Sequence, residues 1–324
     1  KVIVDAMRVH ETKAQIMKHG VWIFKNIAVS NDTHPRLHQA GAVTLTLDIT
    51  RRFAQHADVT AHAVWTMWNL CVNPAMETVL SRGGGIELVL NALRQFAGDD
   101  FVVKQAIGAL RSFAAYRKNW DVIMNNDFVT MAVRLIKSHL HAEHGPGIVS
   151  ECFSTLRLLS RTQCIEDTSE LQAQAGDSFI SMAVASLEVL KDEVKAATKI
   201  INALMVFVDN DTNCSAFLSF DGIPMLKLIY NTHKDRSDVV SSVVVLVHKL
   251  SRTKGRGRTL VRALGEAGFV EILFDAFNTH QTVPAVVENA IYALRSLGKL
   301  EQNQERLEKL NGTHLLHSDS HIQT

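Results

Sequence analysis

The sequence predicts an all-α protein, a solenoid of three-helix repeats, and three observations carry that prediction. A pair of landmarks recurs with a period of 43 residues. Long segments carry apolar residues at steps of three and four, the spacing of one helix face. The composition, 47% hydrophobic with 6% aromatic residues and 5 prolines in 324, suits helices better than many short strands joined by turns.

The first landmark is a β-branched residue after a Gly or Asp turn, at Val43, Ile86, Val129, Ile180, Ile223 and Val270. The second is the last apolar residue of a long helix, at Ile27, Leu70, Phe113, Leu159, Phe207, Leu250 and Leu297. From the first to the second the distance is 27 residues in five units, as from Val43 to Leu70, and 30 in the unit from Val129 to Leu159. The period falls within the roughly 40 to 47 residues of HEAT and armadillo units.

Each period reads as three helices. A short one precedes the turn, as at 74–82, where Pro74 suits a first helical position and Gly83, Gly84 and Gly85 mark the stop. A medium helix follows, as at 86–96, with Ile86, Val89, Leu90 and Leu93 on one face. A long helix completes the unit, as at 101–115, with Val103, Ile107, Leu110 and Phe113 at helical steps.

The stretches GGGIELVLNALRQFAGDDFVVKQAIGALRSFA, from Gly83 to Ala114, and NAIYALRSLG, from Asn289 to Gly298, resemble the armadillo repeats of the beta-catenin and importin alpha families. HEAT units, the nearest competitor, usually lack the separate short first helix. The resemblance implies one armadillo-type, right-handed superhelical solenoid over residues 1–310, followed by a polar tail at 311–324. A partial unit at 1–28 precedes units at about 29–71, 72–114, 115–160, 161–208, 209–251 and 252–298, and a second partial unit occupies 299–310. The chain opens on Lys1 with no basic-then-apolar leader, so a trimmed piece of a longer polypeptide with further N-terminal chain is expected.

Charge is balanced, 34 Lys and Arg against 33 Asp and Glu, so no overall field points to nucleic acid. Cys71, Cys152, Cys164 and Cys214 form no C-x-x-C pair and no disulfide framework, which fits a reducing intracellular compartment: cytoplasm, nucleus or cytoskeleton. No run approaches the roughly 20 apolar residues of a membrane span.

In armadillo stacks the third helices line a concave groove, so equivalent positions on them should form columns. Two residues before the second landmark stand Lys25, Trp68, Arg111, Arg157, Met205, His248 and Arg295. The resemblance to catenin-like repeats implies that the basic residue of the A-L-R-x-L pattern, as at Arg111, Arg157 and Arg295, meets acidic partner segments. One reading is thus a basic track for an extended acidic peptide; the other is ordinary solvated helix residues.

The pairs Trp22/Asn26 and Trp65/Asn69 reproduce the W-x-x-x-N ladder with which importin alpha holds basic peptides, the amide fixing partner backbone and the indoles packing lysine stems. The ladder then breaks at Gly108/Ser112 and beyond, and packing residues remain the alternative for both indoles. His139, His141 and His144 stand in an insertion where H-x-H-x-x-H without cysteine favours a surface loop over a metal site. Arg252, Lys254, Arg256 and Arg258 form a basic loop, read either as an anion or acidic-protein contact or as a solvated loop.

No phosphate loop, G-x-S-x-G elbow or H-E-x-x-H pair is present, and no enzyme activity, cofactor or metal is expected. The leading expectation is a eukaryotic scaffold or adaptor binding an extended acidic segment of a protein, with neither nucleic acid nor membrane as partner. The alternatives are a structural spacer or regulatory arm of a cytoskeletal, ciliary or autoinhibited-enzyme assembly, and a nuclear-import adaptor for basic peptides.

Overall fold

The computed structural model describes residues 1–160, 179–208, 210–253 and 257–317. Its contacts divide the chain into two compact units, Lys1–Glu166 and Asp167–Thr324. The division falls within the CIEDTSEL stretch, where the sequence period is longest.

In the first unit the helices are α1 (Val2–Val9), α2 (Ala14–Ile27), α3 (His34–Gln39), α4 (Ala42–Arg52), α5 (Ala57–Leu70), α6 (Pro74–Arg82), α7 (Gly85–Gln95), α8 (Asp100–Ala114), α9 (Trp120–Met124), α10 (Phe128–His139) and α11 (Gly145–Ser160). In the second they are α12 (Phe179–Val189), α13 (Val194–Phe207), α14 (Asp211–Ser219), α15 (Gly222–His233), α16 (Ser237–Ser251), α17 (Gly257–Glu266), α18 (Phe269–Thr279), α19 (Pro284–Leu297), α20 (Glu301–Lys309) and α21 (His314–His317). Among the described residues the fold is all-α, an armadillo-type solenoid, and the short, medium and long helices follow the order that the period predicts wherever all three are described; the short helix expected in the unit at about 161–208 lies outside the described residues.

The turn ahead of each medium helix explains the first landmark. Gly41, Gly84 and Gly268 take φ values of 80°, 77° and 90°, and Asp127 and Asp221 take 57° and 58°. A left-handed residue there reverses the chain between two helices, which glycine does without strain and aspartate tolerates. The β-branched residue two positions on then enters the core; Val43, Ile86, Val129, Ile223 and Val270 are all buried.

Successive long helices pack on one another: α2 on α5, α5 on α8 and α8 on α11 in the first unit, and α13 on α16 and α16 on α19 in the second. Their inner faces, including Val64, Met67, Val103, Ile107 and Leu110 in the first unit and Ile200, Val243 and Leu294 in the second, are removed from water. Burial of this apolar stripe, continued from repeat to repeat, is the main stabilising term.

Two polar devices recur. After a long helix, a buried side chain turns back to bond a carbonyl six residues earlier at the helix end: His34 to Ala28 O (2.9 Å), Asn119 to Phe113 O (2.9 Å), Asn213 to Phe207 O (2.7 Å) and Asn303 to Leu297 O (3.0 Å). These bonds satisfy carbonyls that the helix end leaves without intrahelical partners. The second device is a guanidinium on a medium helix that caps the short helix of the next repeat. Arg51 donates to Gly83 O and, 43 residues on, Arg94 donates to Asn126 O at 2.7 Å.

The segment after residue 310, expected as a polar tail, instead begins with α21. Leu315 is buried and α21 packs on α19, because Leu315 and Leu316 give this stretch an apolar face. No helix among the described residues is long and apolar enough to cross a membrane.

Candidate partner-binding surface

In the first unit, the long helices bring aromatic side chains from three successive repeats into one surface. Trp22 on α2 is 46% exposed and Phe101, in the first turn of α8, is 43% exposed. Between them lies Trp65 of α5, whose ring meets Phe101 edge-on at 6.1 Å and 73°. His62, one turn earlier on α5, also meets Phe101 edge-on, at 5.8 Å and 76°.

Lys25 is seated in this surface. Its Nζ stands 4.0 Å from the ring centre of Trp65 and 5.7 Å from that of Trp22, and the residue is only 9% exposed. Apolar rings cover the stem while their π-faces stabilise the ammonium. Burial, followed by the charges of Lys25 and Lys18, holds the His62 imidazole below its ordinary pKa, whereas Asp58 opposes that shift.

The amide of Asn69 faces inward: Nδ2 donates to Lys25 O at 3.0 Å and ties α5 to α2. Asn26 is exposed. Trp68 lies against Gly108 of α8, where an added Cβ would fall 2.7 Å from the indole. A glycine breaks the W-x-x-x-N pattern at this point because the indole of the preceding repeat occupies the space.

The column cations have internal partners. Nε of Arg111 stands 2.7 Å from Oε2 of Glu151 on α11, an ion pair between successive long helices. Arg157 is half-buried on α11. Sequence columns missed Glu151 because it occupies a different position on its own helix.

In the second unit, His248 on α16 stacks on Tyr292 of α19, with ring centres 5.4 Å apart and 24° between planes, and its Nδ1 lies 2.8 Å from Asn289 Oδ1. Tyr292 is 42% exposed. Arg295 donates from Nε to Leu315 O at 3.1 Å. Of the basic loop, Arg252 and Arg258 are exposed, and Lys254 and Arg256 lie outside the described residues.

The three histidines of the insertion do not converge. His139 ends α10 buried, with Nδ1 2.9 Å from Leu135 O and Nε2 3.4 Å from Asp100, while His141 and His144 are exposed. Among the described residues, no group of three His, Cys, Asp or Glu side chains is placed to hold a metal ion. Cys71, Cys152 and Cys214 are buried free thiols, and burial pushes the pKa of the first two up; Cys164 lies outside the described residues.

Sequence reasoning missed Phe101, His62 and the pairing of His248 with Tyr292. Phe101 carried one available signal: a large aromatic in the first turn of a long helix, off the expected core face.

No protein-family model matches the chain, and no curated protein sequence matches it. Solved structures do. A chain from work on a phosphorylation switch controlling the interaction between cadherin and beta-catenin superposes with a TM-score of 0.74 at 13% identity, over 95% of this chain and 55% of that one. This protein therefore spans little more than half the length of that neighbour. An engineered protein from the Northeast Structural Genomics Consortium superposes with a TM-score of 0.63 at 16% identity, over 80% of this chain and 97% of that one.

Proposed function

We propose that this chain is a non-catalytic interaction scaffold whose long third helices hold an extended segment of a partner protein. The observation that carries this reading is the partly exposed aromatic surface of Trp22, Trp65 and Phe101, drawn from three successive repeats and enclosing Lys25. Aromatic anchors offer large contact area at low entropic cost, and a row spaced by repeats suits an extended segment better than a small ligand. The likeness to a structure from work on the cadherin and beta-catenin interaction supports the same reading.

The partner's contacting stretch is apolar or aromatic with carboxylates beside it. Lys25 lies over the indole face that a partner's lysine stem would need, which disfavours a basic peptide. Arg111 and Arg157 lie on the long helices α8 and α11, and a partner carboxylate would compete with Glu151 for Arg111.

Affinity capture from cells with the wild-type chain and with a Trp22→Ser/Phe101→Ser variant, read by quantitative mass spectrometry, tests the reading. Both side chains are partly exposed, so circular dichroism should show the variant folded. Proteins retained by the wild type and lost from the variant are the expected result. Indistinguishable capture profiles from two folded proteins would remove this surface from consideration.

A further inference from the structure

A second surface lies on the medium helices of the first unit, away from the aromatic one. A cavity of about 540 Å³ between α7 and α10 and another of about 520 Å³ between α4 and α7 share one wall, Arg94. Arg51 lines the second cavity and Arg134 the first; among the described residues Asp127 is the only acid lining either. The floor of the first cavity is apolar, with Leu93, Met131 and Leu135 among its residues.

The arginines are pre-positioned. Arg94 bonds Asn126 O at 2.7 Å and Asn91 Oδ1 at 2.8 Å, and Arg51 bonds Gly83 O and Asp48 Oδ1. A guanidinium carries more N–H donors than these bonds use, so both cations keep donors while their side-chain entropy is already reduced. Arg134 is exposed on α10. Arg94 and Arg134 flank the apolar floor, and Arg51, paired with Asp48, lies farther along in the second cavity; this arrangement complements a chain segment with carboxylates flanking apolar side chains.

We infer that the groove formed by α4, α7 and α10 is a second docking site, for an acidic amphipathic segment of a partner protein. Apolar side chains enter the Leu93, Met131 and Leu135 cavity, and carboxylates meet Arg94, Arg134 and Arg51. The site is separate from the Trp22, Trp65 and Phe101 surface, so either proposal can fail without the other.

The probe is a fluorescein-labelled helical peptide of about 18 residues, five turns, with leucines on one face and glutamates on both flanks. Its binding to the whole chain is followed by fluorescence anisotropy at low and high salt. Saturable binding is expected, weakened about tenfold or more in Arg134→Glu and in Arg94→Glu/Arg134→Glu, a change of about 1.4 kcal/mol or more. Arg134→Glu alone disturbs neither carbonyl cap and keeps the test valid should the double variant unfold. The inference is overturned by absence of saturable binding, by unchanged affinity in folded Arg134→Glu, or by equal affinity for polyglutamate, which would mean that charge alone is recognised.

Discussion

Lys118 places its ammonium 2.6 Å from Oε2 of Glu77, a carboxylate with no solvent exposure. The other oxygen of Glu77 accepts from Asn119 Nδ2 at 2.8 Å. Glu77 occupies the slot of His34 and Trp120, 43 residues before and after it, whose rings each bond a carbonyl six residues earlier. An ionised carboxylate has no proton to donate there, so it reaches the next repeat instead.

Removing Lys118 leaves a buried anion held by hydrogen bonds from Asn119 and, at 3.4 Å, Thr78, with its ion pair lost. Lys118→Met is expected to destabilise the first unit by about 1–3 kcal/mol, below the usual cost for a buried pair because Lys118 itself is half exposed. Glu77→Gln in the same chain should recover most of that loss, since the amide restores a donor. Urea denaturation of the two variants checks this; a neutral Lys118→Met would refute the dependence.

The left-handed turn residues make a second comparison. Gly84→Ala should cost roughly 1–2 kcal/mol, because the Cβ penalty of that conformation is fully imposed. Asp127→Gly, at the equivalent turn of the next repeat, removes an existing penalty and should be neutral or slightly stabilising. Thermal melts of both variants would show opposite or unequal shifts in Tm, and equal losses would contradict the turn geometry.

His62 makes stability depend on pH. Its folded pKa lies below its unfolded value near 6.5, through burial first and the charges of Lys25 and Lys18 second. As pH falls through 6.5, the unfolded chain takes up the proton before the folded one, so the unfolded state gains free energy and stability declines. Stability measured between pH 5 and 8 should therefore rise with pH, and His62→Gln should flatten that slope. An unchanged slope in the variant would assign the effect to other groups.

Much of the fold was legible because its causes are local. The turn at Gly84 and the proline at Pro74 both act within a few residues, and the structure places α6 at Pro74–Arg82 as the punctuation indicated. Trp22 and Trp65 were legible as surface candidates from their shared place in the period. Phe101 was not, because it lies off that column and joins the surface only through the packing of α5 on α8. The stretch after residue 310 also escaped, since a four-residue helix needs the neighbouring α19 to hold it.

The sequence by itself determined the repeat, the order of short, medium and long helices, and the positions of the left-handed turns, because periodicity and backbone preference belong to each segment alone. Only the tertiary structure decided what the charged side chains do. Lys25 lies over Trp65 and Arg111 meets Glu151, each pair 40 residues apart rather than 43. That offset comes from how one long helix packs against the next, so a residue's neighbours across repeats are set by helix packing and not by its column.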